Sequence, residues 1–516
     1  MKTSADSIVG VILSGAYVND ELVAEYGLLP PAFLPFSQRR LFEHQVEALS
    51  PWVNSIILTV PASYKLHHSD KNWLSAHKVR VITIPDGLSL GESVSYTLIF
   101  ADIQGSVYML HGDTLLPDLR DFKTDSVAVA AQKGSYLWGR VGHEDDSHNV
   151  LVGLFSFSSA DKFLVSLEVT GRNFVDAIVN YSTKLPLQRV EVSTWLDFGH
   201  LQNLYRARKH STTQRHFNSL EFEDKSVFKT GTNIAKLKAE SDWYENLPAS
   251  LRIYTPPFLG WNCVGYRLGY ETSPNLHDLF VFGEYRESTW QSIANACFDF
   301  LRDCQVQAPK GIVSEGVINA LTSEKTLFRL QEWCLTENIK IEDQWTLNGA
   351  ISASPAEILA VTSAIISQSE GIPGIMHGDF CFSNIFFDFR QQSIRVIDPR
   401  GEIRKGYPTV FGDLLYDLAK LNHSLSGYDQ IIAGRFQAEW IGGRALLFDL
   451  EHDSATEAIL ELFTRNDLSG HSLGSAPVKA ITIQLFLAML PLHADRPDRQ
   501  LAFFANALRL YRELET

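Results

Sequence analysis

Residues 376–402 have the sequence MHGDFCFSNIFFDFRQQSIRVIDPRGE, which is the most informative segment of this chain. It places three oxygen-bearing side chains in a fixed order: Asp379 within His-Gly-Asp, Asn384 five residues later, and Asp398 at the end of an apolar run. The apolar run before Asp398 is typical of a buried strand. A carboxylate on a loop, an amide near it and a carboxylate at a strand end supply a proton acceptor and oxygen ligands for a divalent cation.

Phosphoryl transfer requires little beyond such groups, because positioning and charge stabilisation supply most of the catalysis. The order H-x-D-x-x-x-x-N followed by a strand-terminal aspartate matches the catalytic loop of protein-kinase-like enzymes. Here Asp-Pro-Arg-Gly replaces the Asp-Phe-Gly of protein kinases. Over roughly residues 215–516 the sequence resembles the aminoglycoside phosphotransferase and choline kinase family. The resemblance implies a bilobal, protein-kinase-like α+β domain that uses Mg²⁺ and ATP, with Asp379 as the catalytic residue and Asn384 and Asp398 as metal ligands.

The same resemblance implies a cation on a strand of the small lobe and a helical carboxylate that holds it. Lys229 ends an apolar strand, and Glu240 lies eleven residues later in a helical run. By the resemblance these two residues position the ATP phosphates, and the hinge between the lobes falls at Tyr270-Glu271, so Glu271 is assigned to nucleotide binding. The alternative is a solvated lysine and an exposed helix charge. Three further lysines compete for the role of Lys229: Lys225, Lys236 and Lys238. No G-x-G-x-x-G motif precedes Lys229.

Residues after the motif bear on loop support and on the acceptor. In the family, an aspartate at the start of the next helix braces the catalytic loop, and Asp413 is expected in that role and as a helix N-cap. Arg400 and Arg404 would either contact an anionic substrate or form surface charge. A choline-type acceptor requires an aromatic cage around its cation. Four tryptophans are candidates for the cage or for the core: Trp243, Trp261, Trp290 and Trp333.

The first two hundred residues alternate strand-like and helix-like segments, which predicts a mostly parallel Rossmann-like α/β/α sheet with ligands at the strand ends. Predicted strands are Ile8–Leu13, Ser55–Val60, Val79–Ile84, Val107–Leu110, Ser126–Ala130 and Leu151–Phe157, with helices at Leu41–Leu49 and Ser89–Phe100. Asp113 and Asp197 each follow a strand, and a magnesium-dependent nucleotidyl transfer requires two such acids. With these features, about residues 7–210 resemble the sugar-phosphate nucleotidyltransferases. That resemblance implies a sugar phosphate as substrate, CTP or another nucleoside triphosphate as donor, and Asp113 and Asp197 as metal ligands.

This N-terminal segment departs from that family where a triphosphate binds. Ala32 occupies the position of an expected lysine, and no basic residue lies between Lys2 and Arg39. A triphosphate would depend on backbone donors, the metal and Arg39 or Arg40. The alternative is a degenerate domain that binds a nucleotide sugar or glycan without catalysis.

Composition limits the partners. The 516 residues carry 45 Lys and Arg against 60 Asp and Glu, a net charge of −15, which argues against a nucleic-acid partner. Five cysteines without a C-x-x-C pair fit reduced thiols. We expect no secretory signal, no membrane span and a cytoplasmic location. The expected domains are residues 1–212, a small kinase-like lobe at 213–285 and a large helical lobe at 286–516.

Taken in chain order, the two resemblances predict a small-molecule kinase for a sugar, alditol or amino alcohol, fused to a nucleotidyltransferase-like domain. Such fusions resemble enzymes of capsule and lipopolysaccharide assembly, and the segments WLDFGHL at 195–201 and STTQRHFNSL at 211–220 resemble capsular biosynthesis proteins. This predicts an activated precursor as the product. Three alternatives remain: a kinase with a binding module, a scaffold without catalysis, and an antibiotic phosphotransferase.

Overall fold

A computed structural model describes residues 8–131, 149–209, 218–223, 225–309, 316–404, 406–451 and 454–515. The chain divides into two compact units, Met1–Thr212 with Phe282–Glu284, and Thr213–Val281 with Tyr285–Thr516. The predicted boundary at residue 212 and the beginning of the 211–220 segment lie outside the described residues.

The first unit alternates strands and helices. Its strands are β1 (Val9–Leu13), β2 (Pro35–Phe36), β3 (Arg39–Arg40), β4 (Ser55–Pro61), β5 (Val79–Ile84), β6 (Val107–His111), β7 (Thr114–Leu115), β8 (Ser126–Ala131), β9 (Asn149–Phe157), β10 (Gln188–Glu191) and β11 (Leu196–Asp197). Its helices are α1 (Asp20–Tyr26), α2 (Leu41–Leu49), α3 (His68–Ala76), α4 (Leu90–Phe100), α5 (Ala160–Val169), α6 (Phe174–Ser182) and α7 (Leu201–Arg208).

Seven of these strands form one sheet in the order β10-β8-β9-β6-β1-β4-β5. Every pair is parallel except those made by β9, which runs antiparallel to β6 and β8. Neighbouring residues of β1 belong to different cores, since Val11 packs on one face and Ile12 on the other. Both faces are therefore covered, as the continuous apolar strands predict. The α/β class predicted for this unit is confirmed.

The second unit begins with strands and continues mainly with helices. Its strands are β12 (Asn218–Phe222), β13 (Ser226–Gly231), β14 (Phe258–Trp261), β15 (Gly265–Gly269), β16 (Thr346–Leu347), β17 (Ala350–Ile351), β18 (Pro373–Ile375), β19 (Ile385–Asp388), β20 (Ser393–Val396), β21 (Phe411–Asp413), β22 (Phe436–Gly442), β23 (Ala445–Leu450), β24 (Asp467–Leu468) and β25 (His471–Ser472). Its helices are α8 (Ile234–Glu245), α9 (Leu276–Phe282), α10 (Glu287–Val306), α11 (Val317–Leu321), α12 (Ser323–Thr336), α13 (Pro355–Ser367), α14 (Leu414–His423), α15 (Asp429–Ile432), α16 (Ser454–Thr464), α17 (Ala476–Met489) and α18 (Pro497–Glu515).

The small lobe of this unit is the antiparallel sheet β12-β13-β15-β14 with α8 against it. The large lobe is a helical body whose core includes residues of α12, α17 and α18. The short hairpin β19-β20 carries the motif residues at its two ends. This is the α+β arrangement that the sequence predicts.

One helical segment in the described part of the chain, Ala476–His493, meets the length and hydropathy criteria for a membrane span. It corresponds to α17 and the turn that follows, and 61% of the segment is buried inside the protein. A buried apolar helix is what the centre of a helical lobe requires, since such a helix is apolar all round.

Candidate functional site

The His-Gly-Asp loop is held from behind by a buried carboxylate. Asp417 of α14 accepts hydrogen bonds from the backbone N–H groups of His377 at 2.8 Å and Gly378 at 2.7 Å. Asp413, expected as the brace, instead caps α14 by accepting from Leu415 N, and it also accepts from Ile372 N. The bracing residue therefore lies one helical turn later than the sequence suggested.

Asp379 stands at the open side of this loop, with 40% of its side chain exposed. The Asn384 amide nitrogen donates to the Asp379 backbone oxygen at 3.0 Å and to its carboxylate Oδ2 at 3.1 Å. The other carboxylate oxygen, Oδ1, lies 2.8 Å from the ammonium of Lys420 on α14. Burial would lower the pKa of Lys420, but the Asp379 carboxylate, together with Tyr416 and Cys381, raises that pKa above its ordinary value, so the ammonium stays charged beside the aspartate.

The predicted lysine and its carboxylate partner are brought together in the interior. Lys229 Nζ lies 2.7 Å from Glu240 Oε2 and 3.0 Å from Asp398 Oδ1, and only 6% of Lys229 is exposed. Tyr266 O–H also donates to Glu240 Oε2, at 2.9 Å. Burial opposes the charge on Lys229, but the carboxylates of Asp398 and Glu240 raise its pKa. A solvated strand-end lysine does not describe this residue.

The competing lysines differ in position. Lys238 pairs with Asp242 on its own helix, and Lys236 reaches Glu240 only at 3.6 Å with half of its side chain exposed. Among these residues, Lys229 alone links Glu240 to Asp398.

The loop after β20 is set in an unusual backbone conformation. Asp398 has φ of +58°, a left-handed value that non-glycine residues rarely adopt. Its N–H donates to the Tyr244 hydroxyl on α8 at 3.2 Å. Such strain persists only where the surroundings hold it, and it concentrates at functional sites. The loop thereby presents the Asp398 carboxylate to Lys229, with 42% of the side chain exposed.

The oxygen donors fit a magnesium ion. Asn384 and Asp398 lie on adjacent segments, because Ile397 N donates to the Asn384 backbone oxygen at 3.0 Å. With its amide nitrogen directed to Asp379, Asn384 has its side-chain oxygen left to accept or ligate. Magnesium in phosphoryl-transfer sites is held by one or two protein oxygens, together with substrate phosphates and water. Among the described residues, no group of three or more His, Cys, Asp or Glu is placed to hold a metal.

Glu271, assigned to the hinge, directs its carboxylate away from such a role. Its Oε2 lies 3.1 Å from Arg395 Nε, and its Oε1 accepts from Ser273 N at 2.9 Å. Any part in nucleotide binding would fall to its backbone.

The tryptophans proposed for an aromatic cage are not gathered at one place. Trp243 donates to the Met376 backbone oxygen and is buried, Trp290 packs on Phe382, and Trp333 packs on Phe504. Three of the four candidates are thus core residues, the alternative that the sequence left open.

In the first unit, the two predicted acids do meet. Strands β7 and β11 pair Thr114 with Asp197, and a side chain added at Gly199 would lie 2.4 Å from Asp113 Oδ2 and 3.2 Å from Asp197 Oδ1. Burial, and after it the Asp113 carboxylate, raises the pKa of Asp197. Gln45 of α2 fixes the loop by donating to the backbone oxygens of this edge.

These acids fit a metal poorly. Asp197 already accepts from Gly199 N at 2.9 Å, Asn203 Nδ2 at 2.6 Å and the His200 ring nitrogen at 3.0 Å. Three protein donors on one carboxylate are the pattern of a structural brace, since they occupy most of its lone-pair directions. Of the two acids, Asp113 is the one whose carboxylate meets little competition from protein hydrogen-bond donors.

The arginines that would hold a triphosphate are engaged elsewhere. Arg39 pairs with Glu43 and Glu47, and Arg40 is fully buried with Asp70 at 3.3 Å. The residues expected to bind a nucleoside triphosphate in this unit therefore do not present a cation for it.

Both halves resemble solved enzymes. A nucleoside-diphosphate-sugar pyrophosphorylase from Vibrio cholerae matches 39% of this chain and 99% of its own, at 14% identity and a TM-score of 0.33. A choline/ethanolamine kinase family protein from Mesorhizobium loti matches 61% and 94%, at 10% identity and a TM-score of 0.35. A choline kinase from Streptococcus pneumoniae matches 59% and 90%, at 10% identity and a TM-score of 0.33.

Comparisons with protein-family models and with curated protein sequences gave no match. The matched structures are of the two kinds that the sequence motifs predicted. The roles of individual residues rest on the contacts described above.

The sequence analysis missed Lys420 and Asp417. Both lie in the run GDLLYDLAK, in which the sequence predicts a role for Asp413 only. Their spacing within that run is informative: Asp417 and Asp413 are four residues apart and so share a helix face, and Lys420 follows Asp417 by three. A helix that begins beside the catalytic loop would bring that face to it.

Proposed function

We propose that the second unit is a kinase that transfers phosphate from magnesium-ATP to a hydroxyl group of a small molecule. The observation that carries this proposal is the joint placement of five side chains. A buried lysine is held between a helical carboxylate and the strand-end Asp398, while Asp379 and Asn384 meet on the adjoining loop. An alternative such as a solvated lysine or an exposed helix charge explains one residue at a time. None of these alternatives explains why all five side chains lie together.

The proposed reaction divides these residues by task. Lys229, fixed by Glu240, positions the ATP phosphates, and Asp379 accepts the proton of the acceptor hydroxyl as its oxygen bonds to the transferred phosphorus. Lys420 orients Asp379 through its Oδ1 while Asn384 holds Oδ2. Magnesium, when bound by Asn384 and Asp398, would neutralise charge on the phosphates. The bond from that phosphorus to ADP breaks, and ADP leaves.

For the first unit we propose binding of a nucleotide sugar or glycan without nucleotidyl transfer. Support comes from Asp197, whose carboxylate is taken up by protein donors, and from Arg39 and Arg40, which are bound to acids. The competing proposal is an active nucleotidyltransferase that converts the kinase product into an activated precursor for capsule or lipopolysaccharide.

The kinase is tested by incubating the full chain with magnesium, ATP and a bacterial small-metabolite extract, followed by mass spectrometry. We expect a phosphorylated product that Asp379→Ala fails to make. Asp388→Ala is the matched control, because it removes a carboxylate of the same segment that contacts only local backbone amides. A product that persists in Asp379→Ala contradicts the mechanism. Absence of both product and calorimetric ATP binding would indicate a scaffold.

The first unit is tested by adding that product with each nucleoside triphosphate and measuring pyrophosphate. We expect none above the level of Asp113→Asn, together with saturable binding of a nucleotide sugar or glycan. Pyrophosphate release that Asp113→Asn abolishes would establish the competing proposal.

A further inference from the structure

Three basic side chains near Asp379, which we call the basic cluster, have no task in the proposed chemistry. Its members are Lys325, Arg329 and Arg400, and Lys420, which orients Asp379 in that chemistry, lies at its edge. Arg400 lies against the catalytic loop: its N–H donates to the His377 backbone oxygen at 2.7 Å, and its Cβ lies 2.6 Å from where a side chain on Gly378 would begin.

The other two members come from α12. Lys325 and Arg329 are four residues apart and so share one helix face. The start of this helix is joined to the loop after Asp398 by the ion pair between Glu324 and Arg404, at 3.1 Å. Arg329 is anchored by donating to the Ala488 backbone oxygen at 3.0 Å.

Charges within the basic cluster influence one another. Burial, and then the positive charges of Arg400, Arg329 and Lys420, lower the pKa of Lys325 well below its ordinary value, and Asp379 opposes this only in part. Asp417 lies close by, but its carboxylate is taken up by two backbone amides.

Two acids partly offset the lowered pKa values in the basic cluster, Glu332 for Arg329 and Asp379 for Lys325, but among the described residues neither forms an ion pair with it. In the part of the chain that the structure describes, no ion pair joins Lys325, Arg329 or Arg400 to a carboxylate. Gathering like charges in a partly buried place costs free energy unless an anion binds there. Lys229, which the proposed mechanism assigns to ATP, is not part of the basic cluster, because its contacts go to Glu240 and Asp398.

We propose that the acceptor of this kinase is itself an anion, a small molecule that carries a phosphate or carboxylate group besides the hydroxyl that is phosphorylated. The anionic group binds to Lys325, Arg329 and Arg400, and this places the hydroxyl at Asp379. This inference rests on the proposed kinase function and makes a quaternary-ammonium acceptor incompatible with the site, since the guanidinium charges of Arg329 and Arg400 would repel it. The scattered tryptophans agree with this, because they form no cage for such a cation.

The test separates a bacterial small-metabolite extract on an anion exchanger and offers each fraction to the full chain with magnesium and ATP. The inference predicts an Asp379-dependent product from the retained fraction, and none from the neutral and cationic flow-through. An Asp379-dependent product from the flow-through alone would overturn the inference while leaving the kinase standing. No Asp379-dependent product from any fraction would overturn both.

Treatment of the retained fraction with alkaline phosphatase distinguishes the two sources of negative charge. Loss of the product assigns a phosphate-bearing acceptor, and survival of the product assigns a carboxylate.

Variants locate the binding group. We expect Lys325→Met and Arg329→Met each to raise the KM for the acceptor at least tenfold and to change the KM for ATP less than twofold. Lys325→Met should not lower the melting temperature, because it removes a buried amine whose charged form is disfavoured by burial and by its cationic neighbours. The matched control is Arg465→Met, which removes an exposed charge of the same unit that pairs with Glu461, and it should change either KM less than twofold. Unchanged acceptor KM in both variants, or a rise in the KM for ATP, would refute the assignment.

Discussion

At the scale of the single residue, His377 shows how burial sets a protonation state. Its ring is fully buried, and its Nδ1 accepts the backbone N–H of Asp379 at 3.3 Å, which requires an unprotonated nitrogen. Burial lowers the pKa of His377 to about 4, although the neighbouring Asp379 and Asp398 oppose the shift. The neutral ring therefore helps to hold the His-Gly-Asp loop.

Acid should destabilise the protein through this residue. An unfolded chain protonates the histidine near pH 6.5, whereas the folded protein resists until about pH 4. Lowering the pH across that window favours unfolding by up to about 3 kcal/mol, from about 1.4 kcal/mol per pKa unit. His377→Gln removes this dependence, so its loss of stability relative to wild type should be about 2 kcal/mol smaller at pH 4.5 than at pH 7.

Urea unfolding of both proteins at the two pH values measures this difference. Asp417 has the opposite pH dependence. Burial raises its pKa to about 7, so protonation in acid relieves the free-energy cost of burying its charge. This contribution cancels in the comparison, because both proteins contain Asp417. An equal stability gap at both pH values would show that His377 is not held neutral by the fold.

At the scale of the element, the loop after β20 and helix α8 approach each other through a glycine. Gly401 has φ of +70°, and a side chain there would begin 2.2 Å from the Ala239 backbone oxygen on α8. Because α8 also carries Glu240, this contact fixes the distance between the helix and Asp398, and with it the position of Lys229.

Substituting this glycine should therefore impair both stability and catalysis. Gly401→Ala combines left-handed strain of about 1 kcal/mol with a backbone collision that only a shift of α8 relieves. We expect a loss of more than 2 kcal/mol in unfolding free energy and a fall in kinase kcat of about tenfold or more. The matched control is Gly406→Ala, which has φ of +84° and no atom within 4 Å of the new side chain. Gly406→Ala introduces only the backbone strain, whereas Gly401→Ala adds the collision, and denaturant unfolding and steady-state kinetics of the two variants measure the difference. Equal losses of stability and kcat in the two variants would contradict the role of Gly401.

Much of the fold was predictable from sequence because its elements carry local patterns. The predicted strand Val79–Ile84 and helix Leu41–Leu49 match the structure to the residue, and the other predicted strands of the first sheet differ by a residue or two at their ends. One local prediction was wrong. From sequence alone, Tyr266–Glu271 and Asp278–Phe282 predict a hairpin, but Asp278–Phe282 is part of helix α9, because a short apolar run fits either structure.

The site was predictable where the motif is continuous and unpredictable where it is assembled from distant segments. Asp379, Asn384 and Asp398 lie within one stretch, and Lys229 and Glu240 meet as the motif implies. Lys420 reaches Asp379 from α14, and Lys325 and Arg329 of the basic cluster belong to α12, so only tertiary packing brings them near one another. The crowding of donors on Asp197 is likewise invisible in sequence, because it depends on how the turn after β11 folds.

At the scale of the whole molecule, the chain contains two units with separate cores. The first unit buries apolar residues on both faces of its seven-stranded sheet, and the large lobe of the second buries its own set among α12, α17 and α18. All residues of the proposed kinase site lie in the second unit. Unfolding of such a chain departs from two-state behaviour, since each core can melt by itself.

Differential scanning calorimetry of the full chain should then show two transitions, of which magnesium-ATP raises one. A ligand that binds only the folded form stabilises it by about 2.7 kcal/mol at a concentration one hundred times its Kd, and this free energy accrues to the unit that binds it. Asp398→Asn should abolish the shift, because it removes a carboxylate that contacts Lys229 and that we propose as a metal ligand. Asp197→Asn, which alters the first unit, should lower the other transition through the lost hydrogen bonds and leave the ATP-dependent shift intact. If both transitions rise with magnesium-ATP, or if the shift survives in Asp398→Asn, the nucleotide binds elsewhere and the assignment of Lys229, Glu240 and Asp398 to ATP is wrong.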